Sequence, residues 1–353
     1  MQEVDQARLD AFMGKMVGDM GAAISASLVV LGDRLGLYKA LAEIGPATPL
    51  KLASHTGTAE RYVREWLAAQ AASGYIEYDA DKEAFYMTPE QAMVFADEGG
   101  PAFMAGGFEV LAAMFRDEPK VAAVFKSGKG LGWHEHDACL FRGTERFFRP
   151  GYNAHLTTEW IPALDGVEDR LKSGARVADV GCGHGASTVL MAKTYPKSKF
   201  YGFDYHPASI ERAKAAAREA GVEDRIEFQV ASAKDFNGGA YDMIAIFDAL
   251  HDMGDPVGAA RNIRKNLAPD GHWLLVEPFA NDDLSANLNP IGRLFYSAST
   301  MICTPASLSQ EVGLGLGAQA GEARLKQVAE EAGFTHFRRA SETPFNLVFD
   351  VQA

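Results

Sequence analysis

The chain of 353 residues has only three cysteines, Cys139, Cys182 and Cys303, and no two of them stand at C-x-x-C spacing. An odd, scattered set excludes a disulfide framework and a cysteine-built structural zinc site, and it fits a reducing compartment. Positive charge is scarce as well: 34 Lys and Arg face 47 Asp and Glu, a formal net charge of −13. Nucleic acid and anionic membrane recruit Lys and Arg, so neither is an expected partner. Glu3 and Asp5 stand where a secretory signal would be basic, and the longest apolar stretch near the start, 21–31, is too short to span a bilayer. These absences together predict a cytoplasmic protein. There is no internal repeat and no low-complexity tract. What remains, 47% apolar and 23% charged residues, is the composition of an ordinary globular protein with room for two domains.

Apolar residues recur at helical spacing from about residue 5 to 44, until Pro46 and Pro49 end the run. A short helix over 48–55 follows, then a turn at 56–58 and a helix over 59–72 expected to bury Tyr62, Trp66, Leu67 and Ala71. Gly74 stops that helix, and 75–78 and 84–87 pair as a hairpin. Helix, turn, helix and hairpin make a winged helix, whose familiar use is DNA binding. The charge opposes that use. Residues 21–100 carry six basic against eleven acidic side chains, and the second helix has only Arg61 and Arg64, each beside a glutamate. The expected roles of residues 1–100 are dimerisation and forming one wall of a substrate pocket. Residues 101–172 read as a helical linker and pocket segment.

From residue 173 the pattern changes to short apolar runs alternating with amphipathic helices. Strands are expected at 176–180, 199–203, 225–230, 241–247, 272–277, 335–340 and 345–351, with a helix at 321–332. This is an α/β fold: a doubly wound, Rossmann-like parallel sheet that closes with an antiparallel hairpin. The first strand runs into Asp179-Val-Gly181-Cys-Gly183-His-Gly185-Ala186, a glycine turn leading into a helix. That arrangement cradles a nucleotide, and two kinds compete for it. The run Gly181-x-Gly183-x-x-Ala186 with Asp204 downstream fits a relaxed dinucleotide fingerprint, which would make the chain a nicotinamide-dependent oxidoreductase. Asp179, however, sits in the strand two residues before the first glycine. A carboxylate there suits a ligand carrying an ammonium and a sulfonium better than a pyrophosphate. Asp204, ending the second strand, could accept both ribose hydroxyls.

The D-x-G-x-G-x-G spacing resembles the first motif of class I S-adenosylmethionine-dependent methyltransferases. Leu250-His251-Asp252-Met253-Gly254-Asp255 resembles the His-Asp-Trp-Ser-Asp run of plant and actinobacterial small-molecule O-methyltransferases, with His251 nine residues beyond Asp242 as in that family. The nearest likeness is to a bacterial group, mycobacterial members included, whose acceptor is unassigned. The resemblance covers about residues 150–351 and is architectural in the winged helix. It implies S-adenosylmethionine as cofactor, methyl transfer to a hydroxyl of a small apolar or aromatic acceptor, and a homodimer. His251 would be the general base. Asp179, Gly181, Gly183, Gly185, Asp204 and Asp248 would line the cofactor cleft, with Tyr205 stacking on adenine.

The motif after the third strand departs from the family: Ser232 replaces an expected Asp, so a backbone contact at Ala233 would have to serve beside it. Tyr152 and Asn153 fall where related enzymes reach the methionyl carboxylate. Structural alternatives for His251 are an N-cap of the next helix or a backbone hydrogen bond, and either Asp252 or Glu277 could fix its tautomer. No metal is expected. His134, Glu135, His136 and Asp137 are consecutive and cannot all face one ion, and 277–282 lacks the Asp-Asn pair of metal-dependent catechol-type enzymes. Residues 278–320 form a long insert readable as a lid over the acceptor or as a helical filler. A regulator that senses S-adenosylmethionine through the winged helix stays open as an alternative function. An amino methyltransferase of nucleic acid would need an Asp/Asn-Pro-Pro-Tyr/Phe run after the fourth strand, and none occurs there.

Overall fold

The computed structural model describes residues 4–353; Glu3 lies outside them. The chain divides into two compact units, one running to Ala113 and taking back Arg142–Pro150, the other holding Met114–Phe141 and Gly151–Ala353. The expected middle segment is therefore shared between the two.

In the first unit, helices Gln6–Arg34, Leu37–Ile44, Pro49–Thr56 and Glu60–Ala72 precede a small hairpin, β1 (Glu77–Asp79) and β2 (Ala84–Tyr86). Thr48 caps Pro49–Thr56 by accepting from the Lys51 N–H, with proline at the first helical position. Trp66 and Leu67 go to the core with Val29, Tyr38, Leu41, Leu52 and Phe85, as their spacing requires. Tyr62 does not: it is 80% exposed, because the buried face of this helix follows Val63, Trp66, Leu67 and Gln70. The apolar run near the N-terminus also differs from expectation. It belongs to one helix of 29 residues, and among the described residues this is the one helix long and apolar enough, by length and composition alone, to cross a membrane. Leu9, Phe12, Met13, Val17, Met20 and Ile24 are all exposed on it.

Arg146 anchors the same unit, with its side chain 11% exposed and bonded to Asp33, Glu98 and Glu109. Truncation would strip Asp33 of its cation, while Glu98 keeps Lys39 and Arg149 and Glu109 keeps Arg142. Arg146→Ala is expected to destabilise this unit by about 3–5 kcal/mol, read as a lower midpoint in chemical denaturation.

The second unit is a seven-stranded sheet. Its strands are β3 (Arg176–Val180), β4 (Lys199–Asp204), β5 (Ile226–Val230), β6 (Tyr241–Phe247), β7 (Leu267–Pro278), β8 (His336–Glu342) and β9 (Asn346–Gln352). They lie in the order β5-β4-β3-β6-β7-β9-β8, parallel except for β9, which runs antiparallel to both neighbours. Side chains alternate across the strands. Val177, Met243, Ala245, Leu274 and Val276 pack on one side with Leu156, Trp160, Met191 and Ile210. Ala178, Ile244, Ile246, Trp273 and Leu275 pack on the other with Ala260, Ile263, Leu325 and Val328. Two buried faces explain the nearly continuous apolar strands of the sequence. The chain order reverses between β3 and β6, and a crevice for a ligand opens at the carboxyl ends of strands at such a point.

Candidate active site

The loop after β3 occupies that switch point. Gly183 and Gly185 have φ of 51° and 80°, and a Cβ on Gly185 would come within 2.8 Å of the Phe228 ring. Only glycine keeps this loop flat against the sheet while leaving its backbone open to a ligand. Beneath it lies Asp179, 1% exposed. One oxygen, Oδ2, accepts from the hydroxyls of Ser187 and Thr188, both at 2.6 Å, while Oδ1 is buried with no hydrogen-bond partner. Burial pushes the Asp179 carboxyl up to about 6, with the charge of Asp204 adding to the rise against the two hydroxyls. Asp204 ends β4 and ties the loop, accepting from Gly183 N–H at 3.0 Å and His206 N–H at 2.8 Å. Its carboxyl is also raised by burial.

β6 delivers Asp248 into the same crevice. Its φ of 49° is a left-handed conformation uncommon outside glycine, and such strain gathers at functional sites. Asn346 donates to Asp248 Oδ1 at 2.8 Å, and Oδ2 is buried and unpartnered. Tyr152 stands within electrostatic reach of Asp248 and Asp179, its hydroxyl pushed up by burial and then by those two charges. Asn153 is exposed. Tyr205, next to Asp204, is 44% exposed. Ser232 is half-buried and gives its hydroxyl to Asp235 at 2.6 Å, so it holds the turn, and the carbonyl of the adjoining Ala233 accepts from Asn262.

His251 sits in a 3-10 turn, Leu250–Asp252, and is 3% exposed. The helix cap belongs to Asp255, which accepts from Gly258 N–H, so His251 is not there to start Pro256–Asn266. Glu277 holds it instead. Parallel pairing sets Phe247 of β6 opposite Val276 of β7, which brings Glu277 level with the turn. Glu277 Oε2 meets Nδ1 at 2.6 Å, and Oε1 accepts from Leu250 N–H at 2.9 Å. Asp252 Oδ1 lies 3.2 Å from Nε2. Of the two candidates for orienting the ring, Glu277 holds Nδ1 and fixes the proton there, while Asp252 Oδ1 near Nε2 makes no hydrogen bond. Burial alone would lower the His251 pKa, but Glu277, Asp252 and Cys303 outweigh it and carry it well above the ordinary histidine value. Cys303, with its own thiol pushed up to about 12 by burial, counts in the sequence only as one of three scattered cysteines, with no sign of a place in the site. It comes from the 278–320 insert, 52 positions from His251, and no local spacing could reveal it. That insert is tied to the histidine loop: Ser307 Oγ donates to Met253 O at 2.8 Å, and Gln310 Nε2 donates to Asp252 O at 2.8 Å.

Residues 171–333 match the family model of a methyltransferase domain, and residues 22–96 match that of an Rv2258c-like winged HTH domain. Over those residues the chain carries a methyltransferase domain and, ahead of it, an Rv2258c-like winged helix. The methyltransferase domain is also seen in relatives known from sequence. The 27-O-demethylrifamycin SV methyltransferase of Amycolatopsis mediterranei is 31% identical over 107 residues, which are 30% of this chain and 39% of that one. The chain spans only 5% to 39% of the length of the first curated relatives it matches. Solved structures align over nearly everything. Mitomycin 7-O-methyltransferase covers 99% of this chain and 100% of its own at 20% identity, TM-score 0.69. Human N-acetylserotonin methyltransferase in complex with SAM covers 100% and 99% at 18% identity, TM-score 0.66. At such identity the likeness is one of fold: the Rossmann-like methyltransferase sheet with a helical N-terminal region.

Proposed function

We propose that the protein transfers a methyl group from S-adenosylmethionine to a hydroxyl of a small apolar or aromatic molecule. The observation that carries this reading is the unpartnered Asp179 Oδ1 under the glycine loop, joined in the same crevice by the unpartnered Asp248 Oδ2. Buried carboxylate oxygens facing a nucleotide cradle repel a pyrophosphate and suit a cation. S-adenosylmethionine supplies there an electrophilic methyl group on a positively charged sulfur. Asp179 would hold the ammonium end, Asp204 the ribose, and Tyr205 the adenine face, with Gly181, Gly183, Gly185 and Ala233 offering backbone. Tyr152 and Asp248 would close the methionyl side. His251 Nε2 takes the proton of the acceptor hydroxyl, and Glu277 stabilises the imidazolium that results.

Thermal-shift titration tests the cofactor. S-adenosylhomocysteine is expected to raise the melting temperature while NAD leaves it unchanged; the reverse pattern would make the chain an oxidoreductase. The winged helix is read as a dimerisation element rather than a DNA reader, because Arg61 and Arg64 are paired with Glu65 and Glu60 on their own helix. The exposed apolar side chains of Gln6–Arg34 support a homodimer, working in the cytoplasm without nucleic acid or membrane as partner.

A further inference from the structure

A second histidine–carboxylate pair stands outside the groups used so far. The side chains of His136 and Asp117 are each 2% exposed, and Nδ1 of the ring lies 3.0 Å from Asp117 Oδ2. Asp117 also accepts from Lys120 Nζ at 2.8 Å and from the Asp137 N–H at 2.9 Å. Burial works against its charge, yet these donors hold its carboxyl below the usual range. An ionised carboxylate only accepts, so the neutral ring must carry its proton on Nδ1 and leave Nε2 as a bare lone pair. That Nε2 is buried and has no hydrogen-bond partner. An acceptor left so costs about 1–3 kcal/mol, and a device built this firmly to aim one asks for a donor.

The surroundings say where the lone pair belongs. Leu131 N–H donates to Pro305 O at 2.9 Å, and Gly130 packs so tightly on Pro305, Leu308 and Ser309 that a Cβ there would clash. This fixes the segment against the stretch that carries Cys303. His136 stands within electrostatic reach of Asp252, the carboxylate near Nε2 of His251. Trp133, one turn earlier, has its backbone against the Tyr205 hydroxyl and its ring edge-on to Phe141 at 5.5 Å. The turn 133–136 therefore reaches from the cofactor rim to the base, offering an aromatic wall and one acceptor atom.

We propose that His136 Nε2 accepts a hydrogen bond from a hydroxyl of the acceptor molecule other than the one methylated, so that the protein selects polyhydroxylated aromatics over those with one hydroxyl. This deepens the methyl-transfer reading and rests on it. A phenolic hydroxyl is the more acidic kind and the stronger donor, and the flanking Trp133 favours a flat ring. Asp117 acts through His136 as a positioning residue.

The test uses the full chain, alone and with S-adenosylhomocysteine, titrated calorimetrically with phenol and with catechol. Catechol is expected to bind about five- to ten-fold more tightly, the factor of one added neutral hydrogen bond. His136→Phe should erase that preference. In wild-type protein with 15N-labelled histidine, the Nε2 resonance of His136 should move on adding catechol and stay still with phenol, a readout that needs no variant. Equal affinities, a preference that survives His136→Phe, or an unmoved resonance would each overturn the inference. Failure of S-adenosylhomocysteine to bind would instead overturn the methyl-transfer reading, so the two failures are told apart in one set of titrations.

Discussion

Replacing His251 with alanine is expected to lower kcat by roughly 10² to 10⁴-fold while S-adenosylhomocysteine still binds, since in the proposed reaction the ring would touch the proton in flight and not the cofactor cradle. The pH profile gives the sharper test. A general base must be neutral, so kcat climbs with pH through the pKa of His251. Because Glu277, Asp252 and Cys303 outweigh burial and hold that pKa well up, the rising limb should lie on the alkaline side of the ordinary histidine value of about 6.5. Glu277→Gln removes the first-named of those charges and should move the limb toward acid, with kcat reduced because the imidazolium loses its counter-charge. Neighbouring Asp248 and Asp252 are themselves pushed up by burial, so the profile reports the whole cluster titrating together. Turnover near wild type in His251→Ala, measured with the true acceptor, would end the assignment, and a limb indifferent to Glu277→Gln would place the ionisation on another group.

Much of this arrangement was legible along the chain because the groups are local to strand ends. All seven strands of the large sheet fall within a few residues of their apolar runs, and Asp179, the glycines, Asp204, Asp248 and His251 all sit at the carboxyl edge. Strand β7 begins five residues before its apolar run, because Leu267 pairs with Tyr241 ahead of a register shift. What stayed hidden is what only three-dimensional pairing creates. Glu277 and Asp252 were equal candidates until the register of β6 with β7 brought Glu277 onto Nδ1. Cys303 and Asn346 reach the site from the insert and from β9. His136 drew notice only as part of an implausible metal run, and its bond to Asp117 joins two segments with no shared pattern. Tyr62 was misplaced for a different reason: in a short helix with aromatics at i and i+4, spacing alone did not decide which face was apolar.

Asp179→Asn should separate binding from stability in opposite directions. The carboxyl of Asp179 titrates at about 6 in the folded protein, above its ordinary 3.8. A folded value higher than the unfolded one means the folded state binds the proton more tightly. Ionisation of Asp179 therefore opposes folding, fully above about pH 6, progressively less as pH falls, and not at all below the unfolded value. The penalty at neutral pH is on the order of 3 kcal/mol. Asparagine keeps an oxygen for Ser187 and Thr188 and removes the charge, so the ligand-free variant should melt at a higher temperature than the parent. Cofactor affinity should go the other way, falling roughly 10² to 10³-fold, since a desolvated ammonium loses its counter-charge. In the parent, S-adenosylhomocysteine should bind progressively more weakly below pH 6, approaching ten-fold per unit, and take-up near pH 6 should release a proton; the variant should show neither. Tighter melting with unchanged, pH-independent cofactor affinity would mean that the carboxylate under the glycine loop faces no cation, and the preference for a sulfonium nucleoside over a dinucleotide would lose its physical basis.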